Sequence, residues 1–460
     1  MSAQGLSQLI RSRSVSPVEV VKAFLQRIEQ INPILNAIIT VADNVLDRAQ
    51  TAEAAVMSGK NPGLLHGVPV TVKDTIDTAG ILTTSGSRIR SNHVPLHDAT
   101  AVARLKAVGA IVLGKTNTPE MAIPYETENP IFGRTNNPYD LKKTCGGSSG
   151  GEAAAIAACL SPAGIGSDLS GSIRVPAHFC GIVGLKPTTG RVPMDGHTPA
   201  AIGPLSLGAC IGPMARSVRD VKLLFDVLSG EESLVAEKSE LRGIRVGMDV
   251  ENPNTRITAE TRAAVEVAAM ALSDAHLDVA EATPPAVAEG SRLWIELFSR
   301  TAANQLRDFY QGNEEYAGPM VTSILDTTEE KALDMAGKID QAEALARALV
   351  ERERLREELL RWMKTTPLIL TPVGAVPAFD HGAKRIVVGR DSFSLFRAFG
   401  YSQAFNVFGL PSVCVPAGQS AEGLPIGVQI VGQPNEEKTV LSAAAVIEES
   451  LGCWRRPSQF

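Results

Sequence analysis

An α/β fold, with buried strands covered by helices on both faces, is what this 460-residue sequence predicts. Two observations predict it: short runs of β-branched and apolar residues recur along the chain, and amphipathic helical stretches alternate with them. The length is ample for a large core and leaves the number of domains open.

The elements follow in order. Ser16-Pro17-Val18-Glu19 reads as a helix start, with Ser as cap, Pro at the first helical position and Glu reaching back to close a capping box. Val21, Phe24, Leu25, Ile28 and Ile31 then recur at helical spacing, which makes an amphipathic helix packed on the body. Residues 68–72 alternate like a short strand and leave Lys73 on the face opposite Val70 and Val72, or at the strand's end. Asp98 begins a capped helix through Val102, Leu105 and Lys106; Gly109 ends it, and 110–113 forms a strand. Further strands are expected at 244–247, 368–370, 413–415 and 426–431, with a helix from about Glu436. Between 285 and 365 glycines thin out and charges concentrate. Leu345, Leu349, Leu355, Leu359 and Trp362 mark long helices there, a helical insertion or cap at the substrate entrance with one solvated, charged face.

Composition removes several function classes. A net charge of -6 gives no basic footprint for nucleic acid or anionic lipid. No run of about eighteen apolar residues offers a membrane span. Six cysteines (Cys145, Cys159, Cys180, Cys210, Cys414, Cys453) form no Cys-x-x-Cys pair, so buried free thiols are expected. With no apolar leader-like stretch near Met1, a reduced, cytoplasmic setting is the expectation. Seven histidines without a pairing motif give no metal site.

Two serines stand in one Gly-rich stretch: Ser148 in GGSSGG (146–151) and Ser172 in DLSGSIR (168–174). Small residues at this density let backbone N–H groups approach a substrate, so each serine is a candidate nucleophile in need of a base. Residues 146–150 also match the G-x-S-x-G elbow of α/β-hydrolases, but neither His276 nor His381 stands in a catalytic context downstream. Lysine is the alternative activator, because a desolvated lysine can be neutral near pH 7. Lys73, beside Thr71, Val72 and Ile76, is the best candidate; Asp74 and Asp77 would oppose its deprotonation if they faced it.

The run CGGSSGGEAAAIAACLSPAGIGSDLSGSIRVPAHFCGIVGLKPTTGRV (145–192) resembles the signature of the amidase signature family, and HGVPVTVKD (66–74) resembles that family's lysine motif. GKTNTPEMA, NPIFGRTNNP, IGPMARSVRD, FNVFGLPSVCVPAG and LPIGVQIVG follow in the family's order, densely over 60–230 and more loosely over 365–450. The resemblance implies one α/β/α domain over residues 1–460, with a central mixed, mostly parallel-type sheet and the 285–365 insertion within it. It implies a Lys73-Ser148-Ser172 relay in which Ser172 is the acyl-forming nucleophile and Ser148, preceded by a cis peptide, carries the proton. It places an oxyanion hole in the backbone N–H groups of Leu169, Ser170, Gly171 and Ser172, with Ser170 standing where the family usually has glycine; a negative φ at Ser170 would preserve the hole.

Asp168 and Arg174 are expected to pair and fix the nucleophile loop, and Ser149 to bond loop backbone. Cys145, with nothing beside it to lower its pKa, is a packing thiol. Ile123, Pro124, Tyr125, Cys145, Gly146 and Gly147 are candidates for the substrate pocket. The expected substrate is a small-molecule amide, with aryl esters and carbamates suggested by apolar Ile123, Pro124, Phe132 and residues 393–399. No cofactor is implied, and a homo-oligomer is compatible with the sequence. The alternatives are the amidase subunit of a glutamine-dependent tRNA amidotransferase, set aside because no Asp-rich loop follows Ser217, and a catalytically silent binding or scaffold protein.

Overall fold

The computed structural model describes residues 1–59, 63–123, 125–231, 238–252, 254–326, 341–452 and 454–460. Pro124, Cys453 and part of the 285–365 segment lie outside the described residues. Eleven strands form one sheet. In spatial order they are Ile38–Val41, Ile111–Thr116, Pro69–Lys73, Ala163–Asp168, Cys210–Ala215, Val183–Lys186, Ser412–Gln419, Pro425–Val431, Leu368–Pro372, Arg245–Met248 and Asp278–Glu281.

The mixed sheet is as expected, but the expectation of a mostly parallel one is corrected. Six of its ten neighbouring pairs are antiparallel. The four parallel pairs lie toward the two ends of the sheet. Buried apolar runs look alike in either direction, so periodicity does not reveal strand polarity. The connection between Ser412–Gln419 and Pro425–Val431 does carry that information: five residues can close a hairpin but cannot make a crossover to a parallel neighbour.

Every residue of Pro69–Lys73, Ile111–Thr116, Ala163–Asp168, Cys210–Ala215 and Pro425–Val431 is buried. Side chains of both parities are therefore covered, and helices such as Arg174–Cys180, Ala259–Asp274 and Glu437–Leu451 pack on the sheet. The helix Pro17–Leu35 starts as the sequence predicts, with the Ser16–Glu19 capping box closed and Pro17 in the first turn. The helix near Asp98 differs. It runs Thr100–Ala107 without a side-chain cap from its own N-terminus. Asp195 binds the Thr100 N–H at 2.9 Å, while Asp98 holds Lys106 Nζ at 2.7 Å and the Ala79 N–H at 2.8 Å.

Within 285–365 the described residues form helices Gly290–Trp294, Arg300–Tyr310 and Gln341–Met363, with a π turn over Ile295–Ser299. Leu293, Leu297, Phe298, Leu355 and Leu359 pack with Phe405 and Phe408. Arg292 holds Glu289, Glu296 and Glu351 on the exposed side.

Candidate active site

Lys73 is the last residue of its strand, paired in parallel register with Thr116. Alternation puts Thr71 and Lys73 on one face, and there the ammonium end is fully buried. Lys73 Nζ lies 2.6 Å from Ser148 Oγ and 3.1 Å from Ser167 Oγ. Burial lowers the Lys73 pKa from its ordinary 10.5 to about 7, against the opposing charges of Asp168 and Glu152. The carboxylates that face the lysine are thus not its chain neighbours: Asp74 accepts from Thr84 Oγ1 at 2.6 Å and Asp77 pairs with Arg90 at 3.2 Å. Glu152, on the helix Gly150–Ala157, accepts from the hydroxyls of Thr71 and Thr116, and burial raises its pKa.

Ser148 precedes that helix, and the Gly147–Ser148 peptide bond is cis. The Ser149 N–H donates to the Ser172 carbonyl at 3.1 Å, which ties the two serine loops together. The Ser149 hydroxyl donates to the Ser167 carbonyl at 3.2 Å. Ser172 is 7% exposed, and its hydroxyl forms no hydrogen bond among the described residues; Ser148 and Ser172 are neighbours in the site without a bond between their side chains.

The nucleophile loop is wrapped around one carboxylate. Asp168 Oδ1 accepts from the Gly171 N–H at 2.8 Å and Oδ2 from the Ile173 N–H at 3.0 Å. Arg174 donates to both oxygens, at 3.0 and 3.1 Å, and reaches Asn406 Oδ1 at 2.6 Å and Gln429 Oε1 at 2.9 Å. Burial alone would raise the Asp168 pKa; the Arg174 guanidinium and the backbone donors overcome it and hold the carboxyl well below the usual range. Removing one partner strands a buried charge, so Asp168→Asn is expected to lower the unfolding free energy by about 3 to 5 kcal/mol. Urea denaturation of the variant against the parent checks this.

The Gly171 N–H belongs to Asp168, which corrects its assignment to the oxyanion hole. Its φ of +108° explains the glycine, and so does Ser402 Cβ, which would stand 2.9 Å from any Cβ carried at this position. The N–H groups of Leu169, Ser170 and Ser172 have no acceptor among the described residues, and Ser170 is not among the residues with positive φ. The loop carbonyls are held from outside: Trp294 Nε1 donates to Leu169 O at 2.7 Å and the Tyr125 hydroxyl to Ser170 O at 3.0 Å. Because the peptide is planar and trans, anchoring the Leu169 carbonyl turns the Ser170 N–H to the opposite side.

Of the expected pocket residues, Tyr125 is buried and bonded to the nucleophile loop, and Ile123 is half-buried. The Gly146 carbonyl accepts from Thr127 Oγ1 at 2.8 Å. Cys145 is fully buried, its Sγ 3.5 Å from the Thr135 carbonyl, and burial pushes the thiol up to about 12. The remaining described cysteines, Cys159, Cys180, Cys210 and Cys414, are in no disulfide either.

Sequence reading does not pick out Glu152, Ser167, His197 or Trp294. Glu152 carries a signal, being the single charge in the apolar segment GGEAAAIAA. Ser167 adjoins Asp168 in the Gly-rich run. Trp294 meets Leu169 across 125 positions of chain, which no local pattern encodes.

A family model described as Amidase matches residues 19–441. The A subunit of the glutamyl-tRNA(Gln) amidotransferase of Thermus thermophilus is 36% identical over 475 residues, taking in 97% of each chain. A crystal structure of an amidase superimposes with a TM-score of 0.87 at 28% identity, covering 98% of this chain and 100% of that one. 6-Aminohexanoate cyclic dimer hydrolase superimposes at 0.84 with 30% identity, covering 100% and 98%. With the family model and these relatives matching along nearly the whole length, the chain belongs to the amidase family, the amidase signature enzymes.

Proposed function

We propose that this member of the family hydrolyses a carboxylic amide through an acyl-enzyme on Ser172, with Ser148 as proton carrier and Lys73 as terminal base. The observation that carries the reading is the buried Lys73–Ser148 contact of 2.6 Å, at a lysine whose pKa has fallen to about 7. Neutral Nζ takes the Ser148 proton while Ser148 takes the proton of Ser172, whose oxygen bonds to the carbonyl carbon. The oxyanion so formed is met by the N–H groups of Leu169, Ser170 and Ser172. Collapse breaks the C–N bond, and the proton returns through Ser148 to the leaving amine. Water then repeats the relay against the acyl-enzyme and releases the acid, so acid and base roles alternate. The Ser172 hydroxyl has no hydrogen-bond partner among the described residues, and the relay requires it to turn toward Ser148.

A second reading is favoured by the 36% identity to the Thermus protein over 97% of both chains. In it the amide is that of glutamine, and the ammonia passes to a partner subunit. The same relay serves both readings, so the substrate decides between them. A fluorophosphonate adduct located by peptide mass spectrometry is expected on Ser172. Turnover of anilides, nitrophenyl esters or carbamates by the isolated chain supports the free-standing hydrolase. Glutaminase activity with copurification of a second protein chain, and no turnover of the panel, supports the amidotransferase.

A further inference from the structure

Lys73 Nζ has two hydroxyl neighbours, and the relay uses only Ser148. The other, Ser167 Oγ, lies 3.1 Å from Nζ and 2.9 Å from His197 Nε2. His197 Nδ1 lies 2.8 Å from the Pro199 carbonyl oxygen. A carbonyl only accepts, so Nδ1 carries the ring proton and Nε2 presents a lone pair. The half-buried ring is kept neutral chiefly by desolvation, which lowers its pKa to about 4; the charge of Lys115, and that of Lys73 whenever it is protonated, acts in the same direction. Ser167 has one proton, which Nε2 accepts; its lone pairs are then left for Lys73. Nζ spends an N–H on Ser167, and its own lone pair remains for the Ser148 proton.

The backbone registers the histidine to the lysine. Ile76 forms an antiparallel bridge with His197. The Asp77 N–H donates to the Gly196 carbonyl at 2.8 Å, and the Thr198 N–H to the Thr75 carbonyl at 2.8 Å. Residues 75–77 leave the end of the Lys73 strand directly, so few rotatable bonds separate the two side chains.

We propose that His197, acting through Ser167, is a positioning residue that sets the direction of the hydrogen bonds around Lys73 and aims the lone pair of the neutral amine at Ser148. The proposal rests on the reading of Lys73 as the base. Neither His197 nor Ser167 gains or loses a proton over the cycle. Without the Nε2 acceptor the Ser167 hydroxyl is free to rotate and donate to Lys73, where it competes with Ser148 for the one lone pair.

Labelling kinetics with a fluorophosphonate probe test this independently of the natural substrate. His197→Ala is expected to slow the limiting labelling rate about tenfold, leaving the half-saturating probe concentration unchanged. His197→Gln, whose amide oxygen reaches the Nε2 position, restores most of that rate. Ser167→Ala removes the hydroxyl through which the histidine acts, so adding His197→Ala to it produces no further loss. Parental rates in His197→Ala, a His197→Gln as slow as His197→Ala, or a full tenfold loss in the Ser167→Ala background would each overturn the proposal. Thermal unfolding identifies any variant that does not fold; were His197→Ala to fail, the comparison of His197→Gln with Ser167→Ala decides. Ser172→Ala run in parallel separates the two claims. Labelling that survives Ser172→Ala defeats the proposed function, whereas loss of labelling there with parental rates in His197→Ala defeats only the role of His197.

Discussion

Ser172→Ala is expected to abolish turnover, with kcat falling by about 10⁶-fold, the scale seen when a serine hydrolase loses its nucleophile. Among the described residues the Ser172 hydroxyl has no hydrogen-bond partner, and its own N–H and those of Leu169 and Ser170 have no acceptor. Ser148 is already bonded to Lys73 at 2.6 Å and faces the base rather than a donor-lined space. Ser148→Ala interrupts proton transfer but leaves the attacking oxygen in place, so it is expected to cost about 10² to 10⁴-fold. Steady-state kinetics of the two variants, with mass-spectrometric location of a serine-directed adduct, make the contrast. An adduct on Ser148, or a Ser148→Ala loss as deep as that of Ser172→Ala with labelling retained in the latter, would reverse the assignment. Fold loss is not the confounder here: each change removes one hydroxyl, and the Asp168–Arg174 pair that shapes the loop is untouched.

The parts of this fold legible in the sequence are those whose cause is local. Ser16, Pro17 and Glu19 announce a helix start because the donors they satisfy lie within one turn. Alternation over residues 68–72 puts Lys73 opposite Val70 and Val72 or at the strand's end, and it closes that strand on the face of Thr71. What cannot be read depends on partners distant in sequence. Asp98 has the chemistry of a cap, yet Asp195 supplies the contact to Thr100, because a loop almost a hundred positions away reaches the helix first. Strand direction in the middle of the sheet follows from how long connections return, and buried strands of both polarities carry the same apolar pattern. The charge environment of Lys73 shows the same limit. Asp74 and Asp77 are near it in sequence, whereas Asp168 and Glu152 are near it in space.

That environment makes Lys73→Met the sharpest test of the base, because activity and stability should move in opposite directions. For a lysine with a pKa of about 7 when folded and 10.5 when unfolded, the unfolded chain binds more protons between those values. Stability therefore rises with pH across that window, and the cost of burying the lysine is fully developed below pH 7, at about 4 to 5 kcal/mol. Met fills similar space without that cost, although it leaves the Ser148 hydroxyl without its partner, a loss of about 1 to 3 kcal/mol. The expected net effect at pH 7 is a gain of about 2 kcal/mol in unfolding free energy, fading as pH approaches 10. Urea denaturation at several pH values measures it; a variant less stable than the parent at pH 7, or a gain that grows with pH, would mean that Lys73 is not held neutral by burial. Activity should fall about 10² to 10⁴-fold with loss of the general base. In the parent, kcat/KM should drop about tenfold per pH unit below 7, as Lys73 takes up the proton it would otherwise accept from Ser148. A parent rate that stays flat down to pH 5 would remove neutral Lys73 from the mechanism, whatever the stability series shows.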